Sequence, residues 1–284
     1  MTDESFFVDL HIHTVFSDGT FTPTEVVEYA AKIGLAAVAI TDHDSVDGIE
    51  EAFEAGKKYN VEIIPGIELS AECDAQTKME MHILGYYMDW KSEKFKKALD
   101  VFKQARKERA EQIFNKLNGL GLKLKKEGLT ESVNKKVIGR LHFAKALIAE
   151  NYVSSVQEAF QKYLGEDKSA YVPKYAITPA QAINLLHESG GLAVLAHPYY
   201  GHYNNPLIIE SLVRDGLDGI EVWHKRHPAH ISKKLLALAE KFDLAATGGS
   251  DCHGNNSDGE HNMIGKIKVP YTVVEELEKK KNYL

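Results

Sequence analysis

Seven short apolar runs punctuate the chain: FFVDLHI at 6–12, AAVAI at 36–40, VEIIPGI at 61–67, MHILGYY at 81–87, LAVLA at 192–196, DGIEVW at 218–223 and DLAAT at 243–247. Each has the length of a strand, and most are separated by stretches whose apolar residues recur at helical spacing. That alternation predicts βα units, and therefore a parallel sheet or barrel. Two helix starts are explicit. Thr22-Pro23-Thr24-Glu25 supplies an N-cap, a proline at the first helical position and a capping-box glutamate, and Thr178-Pro179-Ala180-Gln181 repeats the pattern.

The rhythm breaks between Tyr87 and Leu192, where no buried-strand pattern occurs. Phe95, Leu99, Phe102, Ile113 and Leu117 fall on one helical stripe, with the Lys and Arg residues of that stretch mostly at the other positions. GRLHFAKALIAE (139–150) and VQEAFQKYL (156–164) have the pattern of two further short helices. The expected organisation is a barrel domain formed by 1–92 and 174–284, carrying a helical insertion at 93–173.

Composition narrows the class. A chain of 284 residues with 44% hydrophobic content can bury a full core, which excludes a disordered or fibrous protein. Its longest aliphatic run, LAAVAI at 35–40, is far short of the roughly 20 residues of a membrane helix, and Asp3, Glu4 and Asp9 break any signal-peptide pattern. A soluble, cytoplasmic protein is expected. Cys73 and Cys252 stand far apart and outside any CxxC pairing, so neither a disulfide framework nor a thiolate zinc knuckle is suggested. Any metal must be held by His, Asp and Glu. The formal net charge is -7, yet residues 91–140 hold 15 Lys and Arg against 6 Asp and Glu, which leaves the remainder strongly acidic. Such a basic segment either steers an anionic substrate or is a solvated helical face.

In VDLHIHT the two-residue period of a strand sets Val8, Leu10 and Ile12 on one face and Asp9, His11 and His13 on the other. Other apolar runs carry related chemistry. AAVAI leads into Thr41-Asp42-His43-Asp44, IIPGI into Glu68, LAVLA into His197, and DLAAT into Ser250-Asp251-Cys252-His253, while MHILGYY carries His82. Taken singly, each is a capping Asp or a packed core His. In a parallel α/β barrel, however, the carboxyl ends of the strands share one face. Imidazole and carboxylate without thiolate suit Mn, Fe or Zn, and there are more ligands here than one ion uses. Two or three neighbouring divalent ions are the usual machinery of in-line displacement at phosphorus. His224, Lys225, Arg226, His227 and His230 follow DGIEVW and are expected to form a solvated loop, and His187, His202 and His261 are given no role. Neither a GxSxG elbow nor a Walker A loop occurs.

In order and spacing, HIHTVFSDG, TDHD, GIELSAE, HILGYY, AHPYY and GGSDCHG resemble the motifs of the PHP (polymerase and histidinol phosphatase) family. The resemblance implies a distorted seven-stranded β/α barrel of TIM-like type with a trinuclear metal centre at the carboxyl ends of its strands. It assigns His11, His13, Glu68 and Asp251 to a first ion, Glu68, His82 and His197 to a second, and Asp18, His43 and His253 to a third, with Glu68 as the bridge. Polymerase-associated members carry a His where this chain has Asp18. That aspartate and the insertion after HILGYY resemble the branch of nucleoside 3',5'-bisphosphate phosphatases and 5'-to-3' exoribonucleases acting on short RNA. GRLHFAKALI and AYVPK also resemble segments of that branch, which makes Arg140, His142 and Lys174 candidate phosphate contacts, since a guanidinium suits bidentate phosphate binding.

The resemblance therefore implies phosphate-ester hydrolysis by a metal-bridging hydroxide, assisted by Arg140 and His142, with manganese as first choice and iron or zinc as alternatives. The expected substrate is a small phosphorylated nucleotide or a short oligonucleotide; no membrane and no stable protein partner is implied. Two rival expectations are a phosphatase for another small monoester, such as a nucleoside monophosphate, histidinol phosphate or sugar phosphate, and a metal-binding module without turnover.

Overall fold

A computed structural model of the chain describes residues 6–72, 80–125, 139–200, 203–255 and 262–283. Cys73, His202 and His261 lie outside them. The chain divides into two compact units, Met1–Lys96 with Ala176–Leu284, and Lys97–Tyr175.

In the first unit the elements run β1 (Phe7–Ile12), α1 (Pro23–Ile33), β2 (Leu35–Ile40), α2 (Ile49–Tyr59), β3 (Glu62–Glu72) and β4 (Glu80–Tyr86). After the second unit they resume with α6 (Pro179–Glu188), β5 (Leu192–Leu195), α7 (Pro206–Arg214), β6 (Gly219–His224), α8 (Ala229–Lys241), β7 (Ala245–Gly249), β8 (Val269–Pro270) and α9 (Thr272–Lys281). The strands form one sheet in the order β7-β6-β5-β4-β3-β2-β1-β8. Its ends approach each other where His13 N donates to Cys252 O at 3.0 Å and Ser250 N to Asp9 Oδ1 at 2.9 Å, so the sheet curls into a nearly closed barrel. Both expected capping boxes are present, Thr22 with Glu25 starting α1 and Thr178 with Gln181 starting α6.

One core cluster gathers Val8, Leu10, Ala37, Ala39, Ile64, Leu84, Tyr86 and Val194 from successive strands and closes on Val273 and Leu277 of α9. This is the barrel's lumen, and Tyr86 Oη crosses it to donate to Leu10 O at 2.8 Å. A second cluster packs Val38, Ile40 and Ile63 under Val26, Val27 and Ala30 of α1 and Ala52 and Ala55 of α2.

Two expectations need correction. Strand β4 pairs antiparallel with both β3 and β5, so the barrel is not wholly parallel. The alternation along β1 is also not strict: its register shifts between Asp9 and Ile12, which moves Ile12 from the lumen cluster of Val8 and Leu10 into the outer cluster. Strand β8, two residues long and antiparallel to β1, had no signal among the seven runs.

Among the described residues, the second unit contains α3 (Glu93–Gly119) from Lys97 onward, α4 (Arg140–Ala149), α5 (Val156–Ala159) and a π-helical turn at Phe160–Leu164. Its own core holds Ile113, Leu117, Phe143, Leu147, Leu164 and Val172. Part of the basic run is structural here: Arg109 Nε donates to Val172 O at 2.9 Å and Lys116 Nζ to Tyr171 O at 2.6 Å.

Candidate metal centre

All nine residues that the resemblance selects lie in the barrel unit, and the structure brings them to one end of the barrel. His11 belongs to β1, His13 and Asp18 to the loop after it, His43 to the loop after β2 and Glu68 to β3. His197 follows β5, and Asp251 and His253 follow β7. His82 reaches the same end for a different reason. Because β4 runs antiparallel, its first residues, not its last, lie beside the far end of β3, and His82 is in register with Ser70.

Glu68 is fully buried and faces five imidazoles. Its Oε1 lies 2.9 Å from His82 Nδ1 and 2.9 Å from His197 Nε2. Its Oε2 lies 3.1 Å from His43 Nδ1, 3.2 Å from His13 Nε2 and 3.4 Å from His11 Nε2. Asp251 Oδ1 closes the cage at 3.3 Å from His13 Nε2 and 3.7 Å from His11 Nε2. Toward the mouth, Asp18, 43% exposed, lies 3.4 Å from His253 Nε2, 3.6 Å from His13 Nδ1 and 3.8 Å from His43 Nε2.

Among the described residues, four groups have ligand atoms close enough to share an ion: His11, His13 and Asp251; His11, Glu68 and His197; His43, Glu68 and His82; and His13, Asp18, His43 and His253. These overlap the three sets of the resemblance without coinciding with them, and His13 joins the outermost group.

The donor set fits a cation. His11 Nδ1–H donates to Glu221 Oε1 at 3.0 Å, because a carboxylate can only accept, and in the neutral ring that ligates a metal this makes Nε2 the acceptor. That nitrogen lies 3.2 Å from His13 Nε2 and beside the oxygens of Glu68 and Asp251, a cluster of ligand atoms that a cation can share. His13 Nδ1, His43 Nδ1 and Glu68 Oε2 are buried with no hydrogen-bond partner. Buried polar atoms without partners are costly, and divalent ions bound among these groups would supply the missing partners. The electrostatics agree. Burial alone would raise the Glu68 carboxyl, but His43, His82 and His11 hold it well below the usual carboxylate range. Burial likewise opposes charge on His13, and Asp251 and Glu68 outweigh it, raising the imidazole to about 10. The cage demands positive charge.

The residues that brace the cage were less visible in sequence. In Thr41-Asp42-His43-Asp44 only His43 joins it. Asp42 accepts from Thr14 N at 2.7 Å and Thr14 Oγ1 at 2.6 Å, which pins the loop carrying His13 and Asp18. Asp44 accepts from Ser70 N at 2.7 Å, beside Glu68. Strand β6 supplies Glu221, whose Oε2 accepts from His197 N at 2.7 Å. The solvated loop expected after β6 is a correction: His224 and His227 are buried, and the Lys225 side chain is only 10% exposed. His224 Nδ1 accepts from Arg226 N at 3.2 Å, so its Nε2–H is free to donate to Asp251 Oδ2, also 3.2 Å away. Lys225 Nζ donates to Asp251 O at 2.6 Å. Arg226 stacks on Tyr200 with its guanidinium 3.9 Å from the ring centre, and His230 stays exposed. An acidic residue inside the apolar run DGIEVW was the available signal for Glu221, since a buried carboxylate needs partners. His197 and Asp251 also have left-handed backbones, φ 27° and 50°, an unfavourable state for residues with a Cβ that concentrates at functional sites.

Arg140, His142 and Lys174 belong to the other unit. There Arg140 Nη1 donates to Leu164 O at 3.5 Å and its guanidinium lies 5.5 Å from the centres of both the Phe160 and Tyr171 rings. His142 Nδ1 accepts from Gly139 N at 3.1 Å, and Lys174 is half-buried.

Residues 9–242 match the family described as PHP domain. The chain is 34% identical over 249 residues to the 5'-3' exoribonuclease of Haemophilus influenzae, covering 86% of this chain and 89% of that one. It is 33% identical over 258 residues to the 3',5'-nucleoside bisphosphate phosphatase of Chromobacterium violaceum, covering 89% of each. Among solved structures, a protein of Bifidobacterium adolescentis described as a metal-dependent phosphoesterase superposes with a TM-score of 0.83 at 30% identity, over 97% of this chain and 96% of that one. No helix among the described residues is long and apolar enough to cross a membrane.

Proposed function

The chain belongs to the PHP domain family and is a metal-dependent phosphoesterase, and from that premise we propose that it acts on nucleotides, removing the 3'-phosphate of nucleoside 3',5'-bisphosphates or trimming short RNA from its 5' end. The observation that carries the chemistry is Glu68, one buried carboxylate facing five imidazoles with partnerless acceptors around it. Both named relatives act on nucleotide material, and they support the substrate class.

In this proposal His11, His13, Glu68 and Asp251 hold one divalent ion, Glu68, His82 and His197 a second, and Asp18, His43 and His253 a third. Manganese is the first choice, because nitrogen and oxygen ligands without sulfur suit it, with iron or zinc as alternatives. Bound ions would supply what these side chains lack, ionisation of water near neutral pH and neutralisation of charge on phosphoryl oxygens. The chain's own part is placement. Glu221 and His224 aim His11 and Asp251, Lys225 fixes the Asp251 backbone, and Asp42 holds the loop of His13 and Asp18. The insertion is proposed to cap the substrate, with Arg140, His142 and Lys174 holding a second phosphate. A cytoplasmic location suits such a substrate.

The test is turnover by the Mn-loaded protein, read as inorganic phosphate released from adenosine 3',5'-bisphosphate, histidinol phosphate, a sugar phosphate and simple nucleoside monophosphates, and as mononucleotide released from a 5'-phosphorylated trinucleotide. The bisphosphate and the trinucleotide should lead the panel. Equal rates on all would overturn the nucleotide assignment, and no turnover on any would favour the binding module. Arg140→Ala should lower kcat/KM for the bisphosphate by about 10- to 100-fold, a loss of one or more charge-assisted contacts, with metal content unchanged. Metal loss in that variant would show that Arg140 has been given the wrong role.

A further inference from the structure

Strand β6 contributes none of the nine candidate ligands, yet its buried Glu221 touches two of them. Oε1 accepts from His11 Nδ1–H at 3.0 Å and Oε2 from the backbone N–H of His197 at 2.7 Å. Among the described residues Glu221 belongs to none of the groups able to share an ion, and each of its oxygens already has a partner pointing away from the cage. The two residues it touches approach opposite oxygens of Glu68: His11 Nε2 lies 3.4 Å from Oε2 and His197 Nε2 lies 2.9 Å from Oε1.

We propose that Glu221 is the positioning residue of the metal centre, locking the His11 ring in the state that presents Nε2 and holding His197 in its left-handed backbone, so that one carboxylate aligns ligands on both sides of the Glu68 bridge. The inference rests on the metal assignment made above. Its chemistry is specific. Both partners of Glu221 are N–H donors, so only a group with two acceptors serves both. A glutamine of the same shape has one acceptor and one donor. In Glu221→Gln, either the amide N–H opposes His11 and drives the ring to the state with a proton on Nε2, aimed into the cage, or it opposes His197 N–H and leaves that backbone without its partner. A partner that orients a ligating histidine in this way typically carries about 10- to 100-fold in metal affinity.

The experiment is equilibrium titration of the metal-stripped full chain with Mn(II), read by bound metal per chain, for wild type, Glu221→Gln and Glu221→Asp. Far-UV circular dichroism and thermal unfolding of the stripped proteins are recorded alongside. Glu221→Gln should bind Mn(II) about 10- to 100-fold more weakly while the stripped protein keeps its fold, and Glu221→Asp, with two acceptors restored, should recover part of the loss. Wild-type affinity in Glu221→Gln would overturn the role while leaving the metal assignment standing. Equal weakening in both variants, in proportion to lost stability of the stripped protein, would reduce Glu221 to a packing residue. Failure of wild type to bind Mn(II) would remove the metal assignment itself.

Discussion

Glu68 concentrates the chemistry of this chain in one side chain. Its two oxygens face different imidazoles, and the side chain belongs to two of the groups able to share an ion, so weakening this one carboxylate affects both at once. Glu68→Gln should therefore empty two ion positions and lower activity by more than about 100-fold, beyond the loss typical of a residue that only supports a ligand. Elemental analysis that finds wild-type stoichiometry in this variant would contradict the bridging role. Away from the centre, His187 gives a separate test. Its Nε2 lies 2.8 Å from Asp218 Oδ2; that bond raises the imidazole's pKa, against a smaller opposing effect of burial. A raised folded-state pKa means the charged pair stabilises fully below the unfolded value of about 6.5, and this contribution is lost as pH rises through the folded value. The stability gap between wild type and His187→Gln should be widest near about pH 5.5 and narrow by about pH 9. A gap that widens with pH in denaturant titrations would reverse the sign of the coupling. At this scale the sequence displayed side chains but not partners. His224 and Lys225 read as a polar loop because nothing local announces that Asp251, in the segment after another strand, takes two donors.

Elements explain why the ligands meet. Seven of the eight described strands and both capping boxes could be read from periodicity and N-cap chemistry, because those signals are local. The direction of β4 could not be read, since side chains alternate in the same way along parallel and antiparallel strands and only the pairing decides. The register shift in β1 was hidden for the same reason. Close approach of β7 to β1 is another pairing property, and it falls at Gly249, where an added Cβ would collide with the Cβ and backbone N of His11. Neither strand can yield without moving His11. Gly249→Ala should cost about 1–3 kcal/mol, the usual range for overpacking, and should weaken Mn(II) binding as well. Thermal unfolding of the stripped protein reads the first effect and metal titration the second. Unchanged binding in a destabilised variant would show that the barrel relaxes elsewhere.

At the scale of the molecule, the barrel unit gathers its uncompensated acceptors at one end. Folding brings Glu68, Asp251, Glu221 and six histidines together, a cost that the unfolded chain does not bear and that bound cations offset. All nine candidate ligands come from segments dispersed between His11 and His253, so the unfolded chain offers no comparable site. Metal affinity is then folding stability. With free Mn(II) at about 100 times the dissociation constant, one ion that binds only the folded state adds about 2.7 kcal/mol. For a unit of this size that corresponds to a rise of roughly 5–11 °C in the unfolding midpoint, and further ions add to it. Stripping with a chelator should lower the midpoint, restoring Mn(II) should return it, and the shift should grow with the logarithm of metal concentration. Glu68→Gln should flatten that dependence, whereas Arg140→Ala should keep it. A midpoint indifferent to metal in the wild-type chain would mean that the acceptors at the barrel end are satisfied by something other than divalent ions.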